Sequence, residues 1–227
     1  MRELWGFALD STPERRRQRY GDMEYDWENR VNTTSGTVGW RDRLLGVFHS
    51  PYMPTDPAEF RAMIESIPID LHEDNLHEDN LRDYTFIDIG SGKGRTLLLA
   101  SEYPFQKIVG VELISGLHRA AEENVRAYLS STNSASNIEV ICQDARDFDF
   151  PLSPLVIYLF NPLPEPGLRA LVAKIERSWQ KMPRNVWVLY HNPLMEQILM
   201  ESPHMQREKR NAQFSLFKIV AKKNGAD

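Results

Sequence analysis

The sequence predicts an α/β fold: a doubly wound, mostly parallel seven-stranded sheet preceded by an N-terminal helical or irregular arm. Three observations predict it. Short apolar runs recur at 84–89 (YTFIDI), 107–113 (KIVGVEL), 138–144 (IEVICQD), 155–161 (LVIYLFN) and 186–192 (VWVLYHN). Most of the intervals between them carry helical periodicity. The chain then closes with two strand-like runs near enough in sequence to pair antiparallel. Strands that are apolar along their whole length belong to parallel sheets covered by helices on both faces.

The 227 residues suit one domain plus an extension. We divide them into an arm or lid at 1–50, a main domain at 51–220 and a tail at 221–227. With a net charge of −5, the composition argues against a broad nucleic-acid-binding surface. The single cysteine, Cys142, excludes a disulfide framework, and its place in IEVIC predicts a buried thiol. No apolar stretch reaches the ~20 residues of a membrane helix, and the N-terminus lacks a signal peptide's apolar core, so a cytoplasmic location is expected.

The arm is polar, rich in arginine and aromatics, and weakly periodic. The run Glu14 to Arg19 reads as a solvated helix face. At PTDPAEFRAMIESI, Asp56 is a candidate N-cap, Pro57 the first helical residue and Glu59 the third, a capping arrangement. Phe60, Met63, Ile64 and Ile67 then share one face. The tandem LHEDNLHEDN at 71–80 repeats every five residues, which matches neither helix nor strand, so it reads as a polar loop and not as a metal site. After the first strand, RTLLLASEY is helical. After the second, SGLHRAAEENVRAYL aligns Leu117, Ala121 and Val125. ARDFDFPLSP shows little helical pattern. PEPGLRALVAKIERSW carries a stripe of Leu168, Leu171, Val172, Ile175 and Trp179, and PLMEQILMES is a further helix. HMQREKRN and QFSLFKIVA form the closing hairpin.

Between the first strand and its helix lies IDIGSGKGRT. A triphosphate loop needs G-x-x-x-x-G-K-[ST]. Here Ile87 stands where the first glycine should be, and Gly94 where the hydroxyl should be. A dinucleotide loop needs G-x-G-x-x-G, and this one is a residue short at the last step. The third reading is S-adenosyl-L-methionine, which has no phosphate. Asp88 before the loop can face the ligand's ammonium. Glu112, ending the second strand, can take both ribose hydroxyls, and Asp144, ending the third, can accept from the adenine amino group. All three lie at carboxyl ends of strands, where open α/β sheets bind ligands.

D-x-G-x-G-x-G followed by V-x-x-V-E and Q-D-A, with a terminal hairpin, resembles the class I S-adenosylmethionine-dependent methyltransferases over about residues 50–220. The resemblance implies strand order 3-2-1-4-5-7-6 with strand 7 antiparallel, S-adenosyl-L-methionine as cofactor and S-adenosyl-L-homocysteine as product. It implies that Asp88, Gly90, Ser91, Gly92 and Gly94 line the methionine and ribose side, that Glu112 and Leu113 hold the ribose, and that Asp144 and Ala145 contact the adenine.

The acceptor should then lie over the ends of the fourth and fifth strands, FNPLPEPG and YHNPL. Asn161-Pro162 resembles the start of the Asn-Pro-Pro-aromatic motif of amino methyltransferases, while Leu163-Pro164 departs from it. That departure speaks against a base-flipping enzyme. Upstream, PYMPT is similar to a Pro-aromatic-x-Pro-Thr segment of the non-SET protein-lysine methyltransferases, which implies that Tyr52 and Thr55 border the transfer channel. His191 is a candidate general base or a hydrogen-bonded structural histidine. The remaining histidines show no clustered spacing, so no metal is expected. The expected activity is methyl transfer to nitrogen, with a protein lysine as a candidate acceptor. A small-molecule methyltransferase and a non-catalytic donor-binding protein remain the alternatives.

Overall fold

The computed structural model describes residues 23–34, 54–69 and 80–221. Tyr52, nearly all of the LHEDN duplication, the basic run at 14–19 and residues 222–227 lie outside the described residues. Seven strands form one sheet: β1 (Thr85–Ile89), β2 (Lys107–Glu112), β3 (Ile138–Cys142), β4 (Leu155–Leu159), β5 (Val186–His191), β6 (Met205–Arg210) and β7 (Phe214–Ile219). Their order is β3-β2-β1-β4-β5-β7-β6, and β7 runs antiparallel to both neighbours, as expected. The described helices are α1 (Met23–Asn29), α2 (Pro57–Ile64), α3 (Arg95–Ala100), α4 (Ser115–Thr132), α5 (Glu165–Lys181) and α6 (Glu196–Met200).

The central strands β1, β4 and β5 are buried at every residue, which is why they read as unbroken apolar runs. Alternation along them feeds two cores. Phe86, Tyr158 and Trp187 face one side with Phe60, Met63 and Leu98. Ile87, Ile157 and Val188 face the other with Leu168, Leu171 and Ile175 of α5. The rings of Phe60 and Phe86 meet edge to face at 5.8 Å, so α2 is anchored on the sheet by aromatic packing. The predicted stripe of α4 is buried, with Asn124 and Tyr128 added to it.

Two local expectations need correction. Asp56 does cap α2, its Oδ1 accepting the amides of Ala58 (2.8 Å) and Glu59 (3.2 Å). Glu59 does not reach back to complete a capping box. Its carboxylate accepts instead from Gln213 (3.0 Å), just before β7, and lies 3.1 Å from His191 Nε2 at the end of β5. Cys142 is exposed, not buried. β3 is an edge strand with no fully buried residue, so its apolar sequence covers a half-open flank.

Candidate active site

Each strand of the parallel core ends at the same rim, and the loop after β1 shapes the cavity there. Gly90, Gly92 and Gly94 all have positive φ (79°, 55° and 84°), a conformation that costs L-residues with a Cβ about 1–2 kcal/mol. The loop is pinned to β2, with the amides of Gly90 and Ser91 donating to the Val111 carbonyl at 2.8 and 3.2 Å. Close approach is also enforced sterically. A Cβ on Gly90 would stand 2.8 Å from Pro162 Cβ, and one on Gly110 would stand 2.6 Å from Leu97 Cδ1 and 2.8 Å from Ser91 Oγ.

Of the residues expected at the donor, Thr55, Asp88, Gly90, Ser91 and Gly92 line this cavity. So do Glu112, Leu113, Asp144 and Ala145 from the ends of β2 and β3. Gly94 is not in the lining; it begins α3 behind the loop. Asp88 is buried and accepts from the Thr96 hydroxyl. Burial pushes its carboxyl up to about 7 against the Thr96 hydrogen bond, and the neighbouring Glu112 charge adds to the rise. Glu112 Oε2 accepts the Gly92 amide and Oε1 the Ile114 amide, each at 2.8 Å. Burial raises its pKa, and these N–H groups oppose the rise. Asp144 is gripped by Arg146 through Nη2 at 2.6 Å, which holds its carboxyl below the usual range.

On the acceptor side, Phe160, Asn161 and Pro162 line the same cavity. Asn161 has φ 45°, and its amide is oriented by two contacts: Oδ1 accepts from Tyr190 Oη at 2.8 Å, and Nδ2 donates to the Asn192 carbonyl at 2.7 Å. Asn192 is itself left-handed, with φ 44°. His191 does not reach the cavity lining. Its Nδ1 lies 2.7 Å from Tyr158 Oη and its Nε2 3.1 Å from Glu59, and Phe160 packs on the ring at 4.2 Å. Burial lowers its pKa to about 4 despite the nearby Asp56 charge, so the ring is neutral at pH 7. Of the two expectations for His191, general base and hydrogen-bonded structural histidine, the geometry shows the hydrogen bonding: both ring nitrogens lie against protein partners.

Sequence reasoning missed several residues here. Tyr158 lines the cavity wall and shares a 2.7 Å hydrogen bond with the expected Thr55. The tyrosine hydroxyl inside the otherwise aliphatic LVIYL was the available signal. Thr96, eight residues after Asp88, and Gly110, opposite Asp88 in the β2 register, left no signal beyond their side-chain size.

The residues fit an S-adenosyl donor. Ser91 Oγ is buried at the cavity and has no hydrogen-bond partner in the structure, as expected of a hydroxyl kept for a ligand. Three carboxylates stand at or just beyond the ends of successive strands around it. Among the described residues, no group of three or more His, Cys, Asp or Glu is placed to hold a metal.

A doubly wound sheet in this order, with this loop and these acids, defines a class I S-adenosylmethionine-dependent methyltransferase. A family model described as "Putative methyltransferase" matches residues 82–197, and the chain belongs to that family. Among solved structures, the Escherichia coli protein yhhF shares 14% identity over 75% of this chain and 90% of its own, with a TM-score of 0.51. The ribosomal protein L11 methylase of Lactobacillus delbrueckii subsp. bulgaricus shares 18% over 72% and 77%, with a TM-score of 0.46. An RNA methyltransferase of Salinibacter ruber, solved with S-adenosyl-L-homocysteine, shares 16% over 77% and 97%, with a TM-score of 0.47. At these identities the likeness is one of fold. No curated protein matches the sequence. Among the described residues, no helix is long and apolar enough to cross a membrane.

Proposed function

We propose that this methyltransferase acts on nitrogen, with a protein lysine as its acceptor. The observation that carries the reading is Asn161. It stands at the end of β4 in the cavity that holds the donor loop, with its amide oriented by Tyr190 and Asn192. After those two bonds Oδ1 retains a lone pair; once the acceptor ammonium has lost a proton to water, Oδ1 can accept one of its remaining N–H groups and leave the nitrogen's own lone pair aimed at the donor. The donor supplies an electrophilic methyl group on a sulfonium, so transfer is an in-line displacement governed by alignment. Pro162 stiffens the turn. Thr55 borders the channel. His191 acts through Tyr158, holding that hydroxyl at the wall. On the donor side Glu112 and Leu113 hold the ribose, Asp144 and Ala145 the adenine, and Asp88, Gly90, Ser91 and Gly92 the methionine end, with Gly94 letting the loop turn into α3 behind them.

Tritiated donor added to a lysate of cells lacking the enzyme should label protein bands whose hydrolysates contain methyllysine. Label confined to RNA or to the small-molecule fraction would sink the lysine reading. With the labelled acceptor in hand, Asn161→Ala should lower turnover about tenfold or more while donor affinity changes less than about twofold, the pattern of a lost transition-state contact. Equal losses in both would remove the acceptor role.

Asp88 gives the donor site a pH signature. The ammonium is best held by ionised Asp88, whose carboxyl is pushed up to about 7 in the free protein. Binding below that pH must therefore expel a proton. Donor affinity should weaken roughly fivefold from pH 7 to pH 6 and level off above about pH 8. Calorimetry in buffers of different ionisation enthalpy would register the released proton. An unchanged Kd across this range would remove the ammonium role from Asp88.

A further inference from the structure

Residues 23–34 lie well outside the span that defines the family, yet they grip the donor loop on both sides of Gly94. Arg95, directly after Gly94, lines the cavity as a cation in a wall that otherwise carries Asp88, Glu112 and Asp144. Its side chain is 2% exposed and turns toward the N-terminal segment. Nη2 donates to Asp26 Oδ1 at 3.0 Å, Nε donates to Thr33 Oγ1 at 2.6 Å, and the guanidinium lies 4.9 Å from the centre of the Tyr25 ring. Lys93, directly before Gly94, donates to Asn32 Oδ1 at 3.1 Å and to the Thr34 carbonyl at 3.0 Å. Asn124 of α4 joins the two: its Nδ2 donates to the carbonyls of Asn32 and Lys93, and its Oδ1 accepts the Asn32 amide at 2.8 Å.

Asp26 is the hub. Besides Arg95, its carboxylate collects the amides of Thr33 (2.8 Å) and Thr34 (2.7 Å) and both threonine hydroxyls. A carboxylate sharing so many donors fixes the path of the chain around it, and here that path ends on the donor loop. We infer that Asp26 is a positioning residue for donor binding, and that segment 23–34 docks on Lys93 and Arg95 as a buttress behind the S-adenosylmethionine site. This rests on the donor assignment above. A buttress that helps the donor to bind must in turn be stabilised by the donor, because coupling between two equilibria is reciprocal.

Hydrogen exchange on the full chain, with and without saturating S-adenosyl-L-homocysteine, tests this without a mutation. The amides of Thr33 and Thr34 should exchange at least about fivefold more slowly with the ligand, alongside those of the loop at 90–95. Slowing of the loop with no change over 23–34 would overturn the inference. No slowing at either place would overturn the donor assignment itself. Independently, Asp26→Asn should weaken S-adenosyl-L-homocysteine about tenfold in calorimetry, counted per folded molecule, because the amide cannot accept all of these donors. A merely structural Asp26 would lower Tm and leave that Kd within about twofold of wild type, which would also overturn the inference.

Discussion

Glu112→Ala should abolish measurable donor binding. In the proposed site this carboxylate takes both ribose hydroxyls, and hydrogen bonds to a charged partner contribute about 1.5–3 kcal/mol each, so affinity should fall a hundredfold or more. The same side chain also holds the site together. Its oxygens accept the amides of Gly92 in the donor loop and Ile114 at the start of α4. Alanine strands both N–H groups and removes one of the loop's ties to β2, so direct contact and part of the preorganisation are lost together. Glu112→Gln separates the two effects. One amide oxygen can still serve one backbone N–H, but the amide nitrogen faces the other, so an intermediate loss is expected. Calorimetry with S-adenosyl-L-methionine reads both variants. An alanine variant that binds like wild type would refute the ribose assignment.

Gly90→Ala should be nearly as damaging, by a different route. The left-handed backbone at φ 79° costs alanine about 1–2 kcal/mol. The new methyl group would also press on Pro162 at 2.8 Å, so one of the two turns must move. Relief by the loop shifts the donor, and relief by Pro162 shifts Asn161. Either way donor and acceptor lose alignment, and displacements near 1 Å cost about a hundredfold in rate. Single-turnover transfer should therefore fall by about that factor even at saturating donor. Methyl transfer within about threefold of wild type would show that the Gly90–Pro162 contact is soft.

The sheet was legible because its signals are local and mutually consistent. TFIDI, LVIYL and VWVLYH are apolar at nearly every position, and such runs fit only a sheet covered on both faces. That three acids would share one cavity was legible for a related reason: Asp88, Glu112 and Asp144 fall at strand ends, and strand ends converge in this fold. The rest depended on contacts that no spacing encodes. Glu59 reads as a capping residue until β5 is folded beside it. His191 reads as a base or a structural histidine, and only the fold sets Tyr158 and Glu59 against its two nitrogens. Cys142 reads as buried because a strand's sequence does not say that it lies at an edge. Asp26 sits in a polar stretch, and only the tertiary fold brings it to Arg95, 69 positions along the chain.

The two left-handed asparagines carry a consequence for how these positions can vary. Asn161 is oriented by the backbone of Asn192, whose φ of 44° turns its carbonyl toward Nδ2. A β-branched residue at 192 would resist that backbone and swing the carbonyl away. The Asn161 amide would then be held by Tyr190 alone, and the orientation on which its proposed acceptor role depends would be less firmly fixed, although residue 161 itself had not changed. Position 192 thus helps to set the hydrogen-bonding polarity of a neighbour 31 residues earlier. Tolerance at the two sites should be epistatic, with losses at 192 masked once Asn161 is gone.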